Sequence, residues 1–414
     1  MISTMSFETL FFAIFAGGWL AGWLFDKIKL PAVLGMTLWG IALGILARAV
    51  YTGPEATLWP TGFIEIEPFI KSLALVIILL RAGLGISRSE LKSAGIPALL
   101  MAFVPCILEG ITLTLVFIGL FGFPWPVAGL TAFMVAAVSP AVVVPSMLDL
   151  KNRGMGQKNG VITVVLAGAS VDDVFSITLF TAFLGLAVAQ PASLAGATNG
   201  TLSALAGLPV TLLGGLAFGV LLGFLLSGWF KRQHHAVRAT EKALLLLASA
   251  VFLVQIGDWL QLAALLGVMA TGFVLLERAE DVAHEMASKL GKIWVAAQIA
   301  LFVIIGMSLE IGAALDAGPR ALLAIALGLI ARTCGVMLAT LPSRMTRGER
   351  LFCVIAYLPK ATVQAALGGV ALSAGLPQGQ TILAIAVVSI IVTAPLGLIG
   401  IRVGSRHLLS QPYR

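Results

Sequence analysis

Charged side chains are scarce in this sequence. Asp, Glu, Lys and Arg make up 11% of the 414 residues, whereas 59% of the residues are hydrophobic, and the mean hydropathy is +1.04. Soluble domains carry about 25% charged residues, so the composition excludes that class. The apolar runs are continuous over roughly 20 residues, as in transmembrane helices, and do not alternate over ~10 residues as barrel strands do. The sequence therefore predicts an all-α polytopic membrane protein.

Cysteine is also scarce. Cys106, Cys334 and Cys353 lie in apolar segments without the spacing of a metal site, which predicts buried thiols. We expect no disulfide framework and no cofactor, and we do not expect an enzyme. The net charge of +7 requires no nucleic acid partner, because membrane topology explains where the basic residues lie.

Apolar runs of roughly 18 or more residues, divided where Gly, Pro and charge cluster, predict about thirteen transmembrane helices. Lys and Arg concentrate in the loops after odd-numbered helices, which places the N-terminus outside and the C-terminus in the cytoplasm of a cell whose inner (plasma) membrane holds the protein. The polar segments 231–242 and 277–289 are interpreted as connections. The predicted helices are 7–25, 30–49, 66–87, 95–122, 125–150, 160–188, 204–229, 242–257, 261–277, 292–314, 319–341, 350–374 and 380–404.

Five ionisable residues nevertheless lie deep in the predicted helices: Glu109, Asp172, Asp173, Arg332 and Lys360. At ~3 kcal/mol each, leaving them unpaired would cost on the order of 15 kcal/mol. Pairing among three acidic and two basic groups offsets this cost and leaves one carboxylate for a ligand. We expect a structural ion pair between Glu109 and Arg332. Lys360 is expected to offset the negative end of a half-helix or to pair with Asp172.

Two predicted helices carry proline beside polar residues at mid-depth. The fifth contains AAVSPAVVVPSML, with Pro140 and Pro145, and the twelfth contains IAYLPKATVQAALGG, with Pro359. Because proline removes a backbone donor and clashes with the preceding turn, both helices should be interrupted. They are seven apart in order and so run in opposite directions. This predicts an inverted repeat in which linker helix seven joins helices one to six to helices eight to thirteen.

Adjacent carboxylates at this depth suit ion exchange. Crowded like charges cannot both ionise easily, so one of Asp172 and Asp173 can hold a proton. Na⁺ is a hard cation that binds oxygen ligands, which carboxylates, hydroxyls and freed carbonyls supply. A carboxylate that holds either H⁺ or the cation, but not both, is sufficient for exchange. We therefore predict an ion site at Asp172 and Asp173, supported by Ser139, Pro140, Lys360, Thr362 and Gln364.

Five motifs carry a family resemblance. AVSPAVVVPSML (137–148), VDDVFSI (171–177), IILLRAGLGI (77–86), ARTCG (331–335) and LPKATVQAALG (358–368) together resemble the monovalent cation:proton antiporters, in the branch of NHA-type sodium/hydrogen exchangers. The resemblance implies the NhaA-like fold, a homodimer, and a core domain that moves in an elevator-like way. It also implies that Asp173 binds Na⁺ or Li⁺ directly. Where the bacterial NhaA type has a lysine, this chain has Arg332, which cannot release its proton, so the proton stoichiometry is not carried over.

The same resemblance, combined with the repeat, implies a domain organisation. Dimerisation-domain helices are expected in 1–65 and 230–290, and the linker helix in 189–229. The two halves of the core are expected in 66–188 and 291–404, with a cytoplasmic tail in 405–414.

Other functions remain open from the sequence. A Na⁺-coupled organic anion symporter of the bile-acid type resembles the same core, but would need a roomier cavity and sites richer in Asn, Gln and Glu. An intramembrane aspartyl protease needs aspartates that converge from separate helices, which adjacent Asp172 and Asp173 cannot do. A channel would show flux that is neither saturable nor coupled to protons.

Overall fold

A computed structural model describes residues 5–50, 59–85, 88–193, 200–233, 237–260 and 262–410. Within these ranges the regular structure is helical, which confirms the all-α class. The elements are α1 (Phe7–Phe12), a π-helical segment (Ala13–Gly17), α2 (Gly18–Lys27), α3 (Ala32–Val50), α4 (Thr61–Leu84), α5 (Arg88–Phe121), α6 (Trp125–Ala136), α7 (Pro140–Asn152), α8 (Val161–Ser193), α9 (Gly200–Arg232), α10 (Ala239–Leu260), α11 (Ala264–Arg278), α12 (Glu280–Ser308), α13 (Ile311–Thr340), α14 (Arg347–Ala356), α15 (Thr362–Gly368), α16 (Val370–Ser373) and α17 (Gly379–Leu408).

Ten helices in the described residues are long and apolar enough to cross a membrane, where α1–α2 and α6–α7 each count as one. The other three predicted spans fall on α4, α11 and the α14–α16 segment. Helix α4 carries four charged residues, α11 is only 15 residues long, and the third segment is interrupted. The count of thirteen therefore stays a prediction.

The polar segment after α11 is helical, contrary to the sequence prediction of a connection at 277–289. Helix α12 begins at Glu280, and the chain leaves it at Leu309, before the predicted end at 314. Two acidic residues, Glu280 and Asp281, occupy the first turn, where their negative charge interacts favourably with the positive end of the helix dipole. An apolar stripe at helical spacing is buried beneath the polar surface: Val282, Ala283, Met286 and Leu290.

One cysteine also differs from expectation. Cys106 and Cys353 are buried, but Cys334 on α13 is exposed. Its neighbours on the same helix surface, Ile330 and Leu338, are exposed hydrophobic residues. An apolar position in a membrane helix can face lipid as readily as protein, so hydropathy alone does not distinguish the two.

The helices pack in two groups. The core group consists of α5–α8, α13–α15 and α17, and the second group contains α2–α4 and α9–α12. The predicted boundaries assigned 66–87 and 292–314 to the core, but the corresponding α4 and α12 pack chiefly on α11 and α3. Glycines permit these contacts: a Cβ on Gly83 would lie 2.2 Å from Met269 O, and one on Gly40 would lie 2.1 Å from Val303 O. Parts of 1–65, 66–188, 189–229, 230–290 and 405–414 lie outside the described residues, and the boundaries themselves stay predictions.

Both predicted helix interruptions are present. Helix α6 ends at Ala136 and α7 begins at Pro140, while α14 ends at Ala356 and α15 begins at Thr362. Pro140 occupies the first turn of α7, where its missing N–H would be unpaired in any helix. The two breaks touch, since Ser139 N donates to Pro359 O at 2.8 Å. The crossing of two broken helices lies beside α8, which carries the aspartates.

Candidate functional site

Asp172 is tied to the first helix break. Its side chain is fully buried, and Oδ2 accepts a hydrogen bond of 2.8 Å from Val138 N. The extended backbone at this position has no helical partner for that N–H, so the carboxylate satisfies a buried donor. The second oxygen, Oδ1, lies 3.7 Å from Arg332 Nη2 without a hydrogen bond. Asp172 therefore joins the α6–α7 break to the charged groups of the core.

Glu109 pairs with two cations. Arg332 Nε donates to Glu109 Oε2, which gives the predicted contact between α5 and α13. Lys360 Nζ donates to the same oxygen at 2.7 Å. Lys360 therefore pairs with Glu109 and not with Asp172, the partner named from the sequence. Thr393 fixes the backbone of Lys360 through a 2.9 Å bond from Lys360 N to Oγ1. The three charged side chains are at most 1% exposed.

Asp173 faces away from this cluster, toward the boundary between the two helix groups. Only 2% of the residue is exposed, and its Oδ1 has no hydrogen-bond partner in the structure. The side chain lines a small cavity with residues of α4, which belongs to the second group, and of α15. Two residues adjacent in sequence thus occupy different surroundings, because successive side chains on a helix point about 100° apart.

The predicted supporting residues gather at the crossing. Ser139 Oγ lies 3.4 Å from Thr362 Oγ1, and Pro140 begins α7 directly after it. Gln364 Nε2 lies within 3.0 Å of Met134 O and Ala137 O and 3.3 Å from Val135 O. It thereby satisfies carbonyls that the end of α6 leaves unpaired. Among the described residues, no hydrogen bond joins Ser139, Thr362 or Gln364 to Asp173, so in this conformation they shape the crossing around the site.

The family described as "Sodium/hydrogen exchanger, transmembrane" has a model that matches residues 10–402. The chain belongs to the sodium/hydrogen exchanger family. It is 30% identical to sodium/hydrogen exchanger 9B2 of Mus musculus over 98% of this chain and 74% of that protein. It is 27% identical to sodium/hydrogen exchanger 9B1 of Homo sapiens over 96% of this chain and 78% of that protein. The predicted family is confirmed, and the match gives no support to the organic anion symporter.

The fold of this exchanger is similar to that of a solved antiporter. The sodium proton antiporter MjNhaP1 from Methanocaldococcus jannaschii, at pH 8, superposes with a TM-score of 0.75. The two chains are 21% identical, and the match covers 97% of this chain and 98% of the other. At this identity the likeness concerns the fold alone, and it agrees with the NhaA-like architecture predicted from the sequence.

Tyr357 lies beside the buried charged cluster but was not predicted from the sequence. It lies in the α14–α15 break, is fully buried, and has no hydrogen-bond partner at Oη. Its ring centroid is 5.6 Å from Arg332 Cζ, a cation–π arrangement. A Cβ on Gly168 would lie 2.3 Å from Oη, so the phenol is seated against α8 one turn before Asp172. Tyrosine is rare in this chain, with three residues, and its position two residues before Pro359 was the available signal.

Proposed function

We propose that this protein exchanges Na⁺ or Li⁺ for H⁺ across the membrane by alternating access, and that the cation and the proton compete for Asp173. Membership of the sodium/hydrogen exchanger family supports the reaction. One observation supports the residue: among the described residues, Asp173 is the one of the three buried acids whose carboxylate makes no hydrogen bond or ion pair, although each of the three has an oxygen without a partner. Glu109 instead holds Arg332 and Lys360, and Asp172 holds the Val138 N–H.

The charges of the site favour this assignment. Glu109, Asp172 and Asp173 carry three formal negative charges, and Arg332 and Lys360 carry two positive charges. A monovalent ion on Asp173 would neutralise the remainder, which lowers the cost of keeping the cluster in a low-dielectric interior. With neither ion bound, the unpaired charge opposes burial. A loaded site can therefore be enclosed during the change between inward and outward states more readily than an empty one.

Two larger cavities support access toward the site from the two sides of the membrane. The inner cavity, about 660 Å³, lies among the α2–α3 turn, α7 and α17, and includes Lys29, Asp149 and Arg402. The outer cavity, about 300 Å³, includes Glu67, Lys71 and Gln380. Their names follow the predicted orientation, with the N-terminus outside and the C-terminus in the cytoplasm. Each cavity has walls from both helix groups, and Asp173 lines neither.

The assembly and the site chemistry complete the proposal. We infer a homodimer in the inner (plasma) membrane, formed through the second helix group, while the core group moves relative to it in an elevator-like way. The cation is the substrate, and the exchange uses no cofactor. We infer that Asp172, whose Oδ1 has no hydrogen bond among the described residues, joins Asp173 in binding Na⁺.

The test is dissipation of a pH gradient by purified protein in proteoliposomes on addition of Na⁺, Li⁺ or K⁺, with and without a clamped membrane potential. Asp173→Asn keeps the side-chain shape but removes the charge and the titratable proton, so exchange should vanish while the protein folds. Asp172→Asn should retain some exchange with altered apparent affinity. Asp316→Asn is the matched control, because Asp316 on α13 is exposed and lines none of the three cavities. Near-native exchange by Asp173→Asn would refute the assignment.

A further inference from the structure

Several buried polar atoms around Arg332 make no hydrogen bond among the described residues. They are Glu109 Oε1, Asp172 Oδ1, Tyr357 Oη, and Arg332 Nη1 and Nη2. Such groups are rare in a folded interior, because burial removes their bonds to water. The carboxylate oxygens accept, the guanidinium nitrogens donate, and the tyrosine hydroxyl can do both. The charged cluster therefore contains donors and acceptors that are not used in this conformation.

Tyr357 Oη lies on the face of α8 that carries Asp172. A Cβ on Gly168 would lie 2.3 Å from Oη, and Gly168 precedes Asp172 by four residues, or about one helical turn. Side chains on a helix lean toward its N-terminus, so the Asp172 carboxylate leans toward the turn that contains Gly168. Because Gly168 has no side chain, the phenol fits against this turn. The hydroxyl and the carboxylate are therefore neighbours on one face of α8.

Arg332 is a second donor near the same carboxylate oxygen. Its Nη2 lies 3.7 Å from Asp172 Oδ1, which is too far for a hydrogen bond. The ring of Tyr357 lies beside the guanidinium, with its centroid 5.6 Å from Cζ. If Arg332 closed on Oδ1, the bond would be strong, because both groups are charged. A carboxylate oxygen held in this way has less negative charge to offer a cation.

We propose that Tyr357 is a positioning residue for cation binding: its hydroxyl donates to Asp172 Oδ1 as the cation binds, and so prevents this oxygen from pairing with Arg332. The inference deepens the proposed function and rests on it, because Asp172 is inferred to join Asp173 in binding Na⁺. With Val138 N on Oδ2 and Tyr357 on Oδ1, the carboxylate is fixed at both oxygens. Oδ1 retains a second lone pair, which a hard cation can use.

Tyr357→Phe tests this role, and Thr340→Val is the matched control. Tyr357→Phe removes only the hydroxyl and keeps the ring beside Arg332. In proteoliposomes, the KM for Na⁺ and for Li⁺ should rise several-fold, whereas the maximal rate of exchange should stay near that of wild type. Thr340→Val also removes a buried hydroxyl from the core group, but this hydroxyl bonds Val336 O of its own helix at 2.8 Å. Its KM should match wild type.

Thermal unfolding separates positioning from packing. If Tyr357 only filled space, its replacement would lower the melting temperature and leave KM unchanged. Without Na⁺, Tyr357→Phe should melt no lower than wild type, because the lost hydroxyl has no hydrogen bond in this conformation. Added Na⁺ should then raise the melting temperature less than in wild type, since stabilisation by a ligand falls as its affinity falls. This readout measures cation binding without transport.

Asp172→Asn identifies the acceptor of the hydroxyl. Its amide oxygen can accept from Val138 N, which turns the NH₂ group, a donor, toward Tyr357. Adding Tyr357→Phe to Asp172→Asn should therefore change KM much less than it does in wild type. An unchanged KM in Tyr357→Phe, an equal rise in Thr340→Val, or a full further rise in the double variant would each overturn the role of Tyr357. Native exchange by Asp173→Asn alone would instead overturn the proposed ion site, so the two failures are distinguishable.

Discussion

Lys360 Nζ lies 2.7 Å from Glu109 Oε2, the same carboxylate oxygen to which Arg332 Nε donates. One acidic side chain on α5 therefore pairs with two cations, from α13 and from the α14–α15 break. Glu109 Oε1 has no hydrogen bond in the structure. The pair predicted from sequence is thus part of a three-residue cluster. Losing the shared carboxylate should cost more stability than losing one of the two cations.

Glu109→Gln should destabilise the protein more than Lys360→Met does. The first change leaves two buried cations without their carboxylate, whereas the second leaves Glu109 paired with Arg332. Breaking a buried pair by removing one partner costs about 3–5 kcal/mol, so thermal unfolding in detergent should show a large loss for Glu109→Gln. The double variant Glu109→Gln/Lys360→Met should recover part of it, because one unpaired cation is removed. Strictly additive losses would contradict the cluster.

Gln364→Met should lower stability through the end of α6. The substitution keeps the length of the side chain but removes Nε2, which contacts three main-chain carbonyls. Leaving buried acceptors unsatisfied costs about 1–3 kcal/mol. Gln157→Met is the control, because Gln157 is exposed and Nε2 makes a single bond to Lys151 O. Equal melting temperatures for the two variants would show that Gln364 does not stabilise the break.

The sequence predicted the helix interruptions and the depth of the charged residues, because proline chemistry and the cost of charge in a bilayer are local properties. It did not predict which proline ends a helix. Pro140 begins α7, but Pro145 lies within it. Pro145 frees the carbonyl of Ala141, and both residues line the inner cavity, where irregular backbone is tolerated.

Side-chain partners were harder to predict than depth. Two alternatives were predicted for Lys360, and neither was Glu109, because the choice depends on how α5 and α13 pack around the crossing. Residue types could not predict the hydrogen bond from Val138 N to Asp172, because nearly every position has a backbone donor. They also could not predict which α4 residues line the cavity at Asp173, because aliphatic residues dominate the chain. Packing of α4 and α12 with the second group likewise follows from close glycine contacts that hydropathy does not reveal.

Gly40→Ala and Gly119→Ala should change stability in opposite directions. Alanine is favoured over glycine in a helix by about 1 kcal/mol, and a Cβ on Gly119 of α5 would meet no atom within 4 Å. On Gly40 of α3 it would lie 2.1 Å from Val303 O, so α12 must move away, at a cost of about 1–3 kcal/mol. Melting temperatures should rise for Gly119→Ala and fall for Gly40→Ala. A rise for both would mean that α3 and α12 are not in close contact.

Asp172→Asn and Asp172→Leu separate the structural role of Asp172 from its charge. Asn keeps an oxygen that can accept from Val138 N, so the break should persist, and stability should stay within about 1 kcal/mol of wild type. Leu has a similar size but no acceptor, so the buried N–H of Val138 is left unsatisfied at a cost of about 1–3 kcal/mol. Arg332 retains Glu109 in both variants, so neither loses the core ion pair. Thermal unfolding should therefore rank Asp172→Asn above Asp172→Leu, and the Asn variant should still exchange Na⁺ for H⁺ with altered affinity. If both variants lost the same stability, the charge of the carboxylate, and not its hydrogen bond from Val138 N, would stabilise the α6–α7 break. Asp172 could then not be assigned as the acceptor that stabilises this break.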